Sequence, residues 1–170
     1  MNLVTRLLLP LAAVSALAAP AYAQSYRIPV EGSPAIQVDK QAGWTENYDA
    51  HENLTFFASD GSGGLLFRVI EAGPEETMPD SGQIAEIILG AAGATPYTSR
   101  QPSSFGGGAA EAFISTMAVK DGPLFDIIVV IRKVDDRHLA VGVKMIPQST
   151  TADKRKLLDA QFAKAQIVTR

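Results

Sequence analysis

Hydrophobic and polar positions alternate along most of this chain, and the period of the alternation marks out its elements. Residues 53–59 place Leu54, Phe56 and Ala58 on one face, and residues 65–70 do the same with Leu65, Phe67 and Val69. Between them lies Asp60-Gly61-Ser62-Gly63-Gly64, whose glycines accept the positive φ of a hairpin turn, so the two runs form a β-hairpin. Upstream, Ile36 and Val38 alternate in a short strand over 35–39, and Gly43-Trp44 follows in a loop. After Gly73-Pro74 the period lengthens. Ile84, Ile87, Ile88 and Ala91 recur at helical spacing, with Asp80 or Ser81 as N-cap and Gly93 as the C-terminal stop. A connection rich in proline and glycine (Pro96, Pro102, Gly106-Gly107-Gly108) leads to three strands over 110–120, 124–134 and 139–146, turning at Asp121-Gly122 and Asp135-Asp136. A last helix begins near Thr150 or Thr151. It turns Leu158, Phe162 and Ala165 inward and leaves Lys154, Arg155 and Lys156 facing water.

The strand over 124–134 decides the architecture. Ile127-Ile128-Val129-Val130-Ile131 is apolar without alternation, so both of its faces are buried. Its neighbours arrive through tight turns, so the sheet is antiparallel. The expectation is an α+β fold, an antiparallel sheet of about six strands covered by helices on both faces in a three-layer sandwich. The alternative is a one-sided sheet whose second face is covered by a partner subunit.

The first residues follow a different logic. Arg6, an apolar stretch over 7–19 and Ala21-Tyr22-Ala23 match a signal peptide cleaved after residue 23. Thirteen apolar residues interrupted by Pro10 fall short of the roughly 20 that span a bilayer, and no cysteine follows for lipid attachment, so no membrane anchor is expected. The expected organisation is a signal over 1–23, an extended arm over 24–34 able to add an edge strand, and a single domain over 35–170, located in the periplasm or secreted. Removing 23 residues from 170 leaves 147, which suits one domain.

Composition narrows the partners. With 46% hydrophobic and 19% charged residues the composition is ordinary for a globular protein, and wholesale disorder is not expected. The net charge is −3, and −4 once Arg6 is lost, the wrong sign for a nucleic acid or anionic membrane as main partner. The chain has no cysteine, which removes disulfides, thiolate metal sites and cysteine nucleophiles.

The layout formed by 36–44 with Trp44, the 53–70 hairpin, the 84–91 helix, the 110–146 meander and the closing segment over 157–162 resembles the PsbP-like fold family. That family includes the photosystem II extrinsic protein, a Ran-binding nuclear-import relative and small exported bacterial proteins. The resemblance spans nearly all of the mature chain and is one of layout, without a specific motif. It implies a sheet sandwiched by helices and a non-catalytic, partner-binding or accessory role. No functional residue of the family is carried across.

The polar residues offer little chemistry. His51-Glu52 lacks a second histidine four residues on, and Asp49, His51 and Glu52 lie in a polar loop. His138 stands beside Asp135, Asp136 and Arg137 in a charged turn. Ser62 is flanked directly by glycines, which departs from G-x-S-x-G, and Gly106-Gly107-Gly108 has no Lys-Ser/Thr after it and opens a strand. Glu75-Glu76 and Asp135-Asp136 are adjacent acids in turns. No catalytic residue, metal site or cofactor is expected. Recognition remains, with Trp44, Tyr48 and Tyr97 as loop aromatics and His51 beside them as candidate partner or ligand contacts. Trp44 could equally plug one end of the core. Arg68 and Arg132 interrupt apolar strands and either reach water at a sheet margin or line a cleft. The expected function is an exported soluble accessory module that binds a protein or envelope component. The alternatives are a small molecule held between sheet and helix beside Trp44, and an enzyme site assembled around Asp49, His51 and Glu52.

Overall fold

The computed structural model describes residues 24–49 and 53–169. The expected signal over 1–23 and the candidate His51 lie outside the described residues. The elements in chain order are β1 (Gln24–Ile28), β2 (Ala35–Lys40), β3 (Trp44–Asp49), β4 (Asn53–Ala58), β5 (Gly64–Glu71), α1 (Ser81–Ala91), β6 (Ser99–Phe105), β7 (Gly108–Ala118), β8 (Leu124–Lys133), β9 (His138–Pro147), α2 (Ala152–Phe162) and β10 (Gln166–Val168). Seven strands form one antiparallel sheet in the order β3-β4-β5-β9-β8-β7-β6, and three form a second in the order β1-β2-β10.

The uninterrupted apolar run on β8 is sheltered on both sides. Ile127, Val129 and Ile131 join a cluster with Ile84, Ala85 and Leu89 of α1. Ile128 and Val130 join another with Leu158 and Phe162 of α2, Ile28 of β1, and Ile36 and Val38 of β2. A cover made of helices alone was the expectation. On the α2 side the small sheet shares that task, because the arm supplies β1 and the C-terminus supplies β10, both paired to β2.

The main sheet has seven strands instead of about six. Trp44 and Tyr48 therefore lie on a strand, β3, and not in loops, while Tyr97 does lie in the connection between α1 and β6. The sequences Trp44–Asp49 and Ser99–Phe105 show no apolar alternation, because both strands are sheet edges with mostly exposed side chains. Pro102 fits such an edge, where one side of the backbone needs no ladder donor.

Helix α1 starts as expected. The Asp80 carboxylate accepts from the Gly82 and Gln83 amides at 2.7 and 3.1 Å, and the Gln83 side chain accepts from the Asp80 amide at 3.3 Å. This capping box contributes about 1 kcal/mol. Of the residues read at helical spacing, Ile84 is buried and Ile88 packs against the same cluster, but Gly82, Ala85 and Leu89 complete the inner face and Ile87 is 64% exposed. Helix α2 buries Leu158 and Phe162 as expected, with Ala165 buried just beyond it. Arg155 departs from the solvated face foreseen for it, since it is half-buried and pairs with Asp126 at 2.8 Å.

A candidate docking groove on the open part of the sheet

Helix α1 is too short for the surface it packs on. Its 11 residues rise roughly 16 Å. The 11 residues of β7 extend roughly 36 Å. The helix lies against β7 and β8 with its N-terminus near Glu111, so the far ends of these strands, and β5 and β4 on the other side of β9, extend past it. Alternation fixes what faces outward there. Leu54, Phe56, Leu65 and Phe67 enter the cluster shared with the small sheet, so Thr55, Phe57, Leu66 and Arg68 face the α1 side.

A groove of about 440 Å³ opens at that end, lined by Phe57, Met117, Val119, Pro123, Phe125 and Met145 together with backbone of the β4–β5 turn. The register builds it. Gly64 stands between Phe57 and Met145, and Met117 opposes Phe125. A β-carbon on Gly64 would stand 3.2 Å from Phe57 and 3.3 Å from Met145, so those side chains would have to give by a few tenths of an ångström to admit one. Phe57 and Val119 stay 45% and 44% exposed, so their apolar surface meets water. No lining residue has a side chain that can give or take a proton. The groove can bind apolar groups and cannot perform acid–base or nucleophilic chemistry.

Two cavities of mixed polar and apolar lining have charged groups paired within the fold. One of about 420 Å³ lies beside the start of α1, near Asp80, Ser81, Glu111 and Lys133. Hydrogen bonds from Ser81 first and Arg100 second hold the Glu111 carboxyl below the usual carboxylate range, and Arg100 reaches it at 2.7 Å. The other, of about 530 Å³ between β6, β8 and α2, is crossed by a Lys144–Asp159 pair at 2.7 Å.

The aromatics picked from sequence do not converge. Trp44 and Tyr48 share the face of β3 turned toward the small sheet. Trp44 is half-buried and packs on the core there, while the Tyr48 hydroxyl donates to the Arg27 carbonyl and its ring meets Tyr26 edge-on at 5.8 Å. Tyr97 lies on the opposite side of the sheet, edge-on to Phe113 at 5.1 Å. None of the three lines the cavities above. His138 opens β9 beside the charged turn, mostly buried and 2.8 Å from Asp135 and 3.8 Å from Glu71, and among the described residues no three metal-binding side chains are grouped. Sequence reasoning missed Phe57, Met117, Val119 and Met145. The available signal was the mismatch between an 11-residue helix and the longer apolar faces of β7 and β9.

Arg132 and Arg68 meet different fates. Arg132 donates to the Phe105 and Gly106 carbonyls at 3.1 and 2.7 Å and clamps the β6–β7 turn. Arg68 keeps a buried Nε with no hydrogen-bond partner. No helix among the described residues is long and apolar enough to cross a membrane.

No known sequence family matches the chain, and no curated protein does. Solved structures do match, at low identity. PsbP (CyanoP) from Synechocystis sp. PCC 6803 is 13% identical with a TM-score of 0.57, covering 94% of this chain and 99% of its own. LpqN of Mycobacterium tuberculosis, whose structure is described as involved in cell envelope biogenesis, is 12% identical with a TM-score of 0.51, covering 88% and 92%. A mutant form of the protein Mog1 is 10% identical with a TM-score of 0.50, covering 86% and 97%. At such identity the likeness speaks for architecture, and this chain has the PsbP/Mog1-like fold.

Proposed function

We propose that this chain is an exported, non-catalytic accessory module that captures an apolar segment of a protein or envelope component in the groove beside α1. The observation that carries the reading is the groove itself, where exposed Phe57 and Val119 meet Met117, Phe125 and Met145 in one predominantly apolar concave surface, whereas other exposed apolar side chains such as Ile87 and Leu157 line no such apolar groove. Two of its walls are methionines, whose flexible thioethers adapt to varied apolar partners. Export rests on the pattern of residues 1–23, and an envelope setting is in keeping with LpqN. A small apolar ligand is the competing reading, since about 440 Å³ lies in the usual range for ligand pockets. The exposure of Phe57 and Val119 favours a macromolecule, because an enclosed ligand would leave its walls dry.

Photo-crosslinking tests this. A benzophenone amino acid is placed at Phe57, at Val119 and, as control, at exposed Lys156 on α2 in cells expressing the whole gene. Discrete adducts of one mass shared by Phe57 and Val119, and absent at Lys156, are expected. No adduct, or the same adducts at all three positions, contradicts the reading.

A further inference from the structure

Arg68 lies on β5 of the same open face, flanked by Leu66 and Ile70 and opposite Val141 on β9, all members of or packed against a hydrophobic cluster. A guanidinium in such surroundings loses hydration and needs partners for its N–H groups. Every other arginine among the described residues has them. Arg27 donates to the Pro29 carbonyl, Arg100 to Glu111, Arg132 to Phe105, Arg137 to Glu71 and Arg155 to Asp126. Arg68 has no hydrogen bond or ion pair among the described residues, and its Nε is shut off from water. Asp49 is on the same face but two strands away, roughly 10 Å by strand spacing, and has contacts of its own. A half-buried cation with no anion beside it among the described residues leaves its N–H donors available to an anionic partner.

The occupant follows from the register. Arg68 is four residues from Gly64, the floor of the groove between Phe57 and Met145. Four residues on a strand span about 13 Å and return to the same face. An extended segment laid along this surface would present two side chains at that separation. The planar guanidinium suits a carboxylate, which it grips through two parallel N–H donors. The chain's negative charge argues against an anionic membrane supplying the counter-charge.

We propose that Arg68 is the anion anchor of this face, binding an aspartate or glutamate of an extended partner segment whose apolar side chain, four residues away, fills the groove at Phe57 and Met145. The proposal rests on the docking function above and adds to it the polarity and spacing of the recognised segment.

The test is a random peptide library displayed on phage and selected on the protein purified from its full-length gene. Enriched peptides should carry Asp or Glu four residues from Leu, Met or Phe. A synthetic copy should bind R68M at least 10-fold more weakly than the parent, with R68K between them, and should bind F57S more weakly too. R68M removes a cation without a partner, so its melting temperature should hold or rise. A purely structural arginine would instead lower it. Peptides without an acid that bind R68M as well as the parent overturn the anchor while leaving the groove reading intact. Peptides indifferent to F57S overturn the groove reading, and recovery of no peptide above an unselected control overturns both. Binding retained by R68M together with a lowered melting temperature assigns Arg68 to the fold alone.

Discussion

Phe162 of α2 lies directly over the backbone of Gly142 in β9, so close that a β-carbon on Gly142 would stand 2.5 Å from the ring. The missing side chain lets Phe162 stack on Phe105, ring centroids 5.1 Å apart, and on Phe67 at 5.6 Å, and this stack holds α2 to the sheet. Gly142→Ala must push the ring outward or bend the strand, an overpacking that costs about 1–3 kcal/mol. Chemical denaturation should show that loss, and an unchanged midpoint would mean the stack has slack.

The rotation of α1 is checked by a pair of substitutions. Leu89 is buried to 1% exposure and Ile87 is 64% exposed. Leu89→Ala should cost about 2–5 kcal/mol. Ile87→Ser should stay within about 0.5 kcal/mol of the parent. The stripe read from spacing alone would give Ile87 the larger effect.

That contrast shows where the sequence was legible. Hairpin β4–β5, the meander β7–β9 and the helix start at Asp80 were readable, because alternation, turn glycines and a capping side chain are local signals. The two-sided burial of β8 was readable too, since Ile127 to Ile131 leaves no polar face. Edge strands β3 and β6 were not. Their ladders are set by Phe56, Phe57 and other residues of neighbouring strands and not by their own polarity. The groove escaped notice because Met117, Phe125 and Met145 look like ordinary core positions until the length of α1 is set against that of the strands. Arg68 was visible as an interruption, but that its Nε finds no hydrogen-bond partner among the described residues is a three-dimensional fact.

Acid should weaken the β4–β5 turn. The Asp60 carboxyl, ordinarily near 3.8, is held at about 2, chiefly by its hydrogen bond with the Ser62 side chain and then by Lys154, 3.0 Å away. A carboxyl depressed in the folded state contributes stability above its unfolded value and loses it as the pH falls from about 4 toward 2. Asp60→Asn should flatten that limb of the stability profile, measured as urea midpoints at several pH values. Parallel profiles for parent and variant would contradict the assignment.

The groove should tolerate a charge structurally and not functionally. Val119→Asp, at a 44% exposed position, should leave the unfolding free energy within about 0.5 kcal/mol of the parent. The same change should abolish the adduct captured from a benzophenone at Phe57. A persistent adduct would show that the contact does not depend on the apolar wall.

Amide hydrogen exchange of the protein, alone and with its captured partner, tests the docking surface most directly. Protection should appear in three segments, 57–68, 117–125 and 143–147, which bring together Phe57, Arg68, Met117, Phe125 and Met145 on one face. Protection confined to β6, β10 and α2, with those three segments exchanging as fast as in the free protein, would contradict the account.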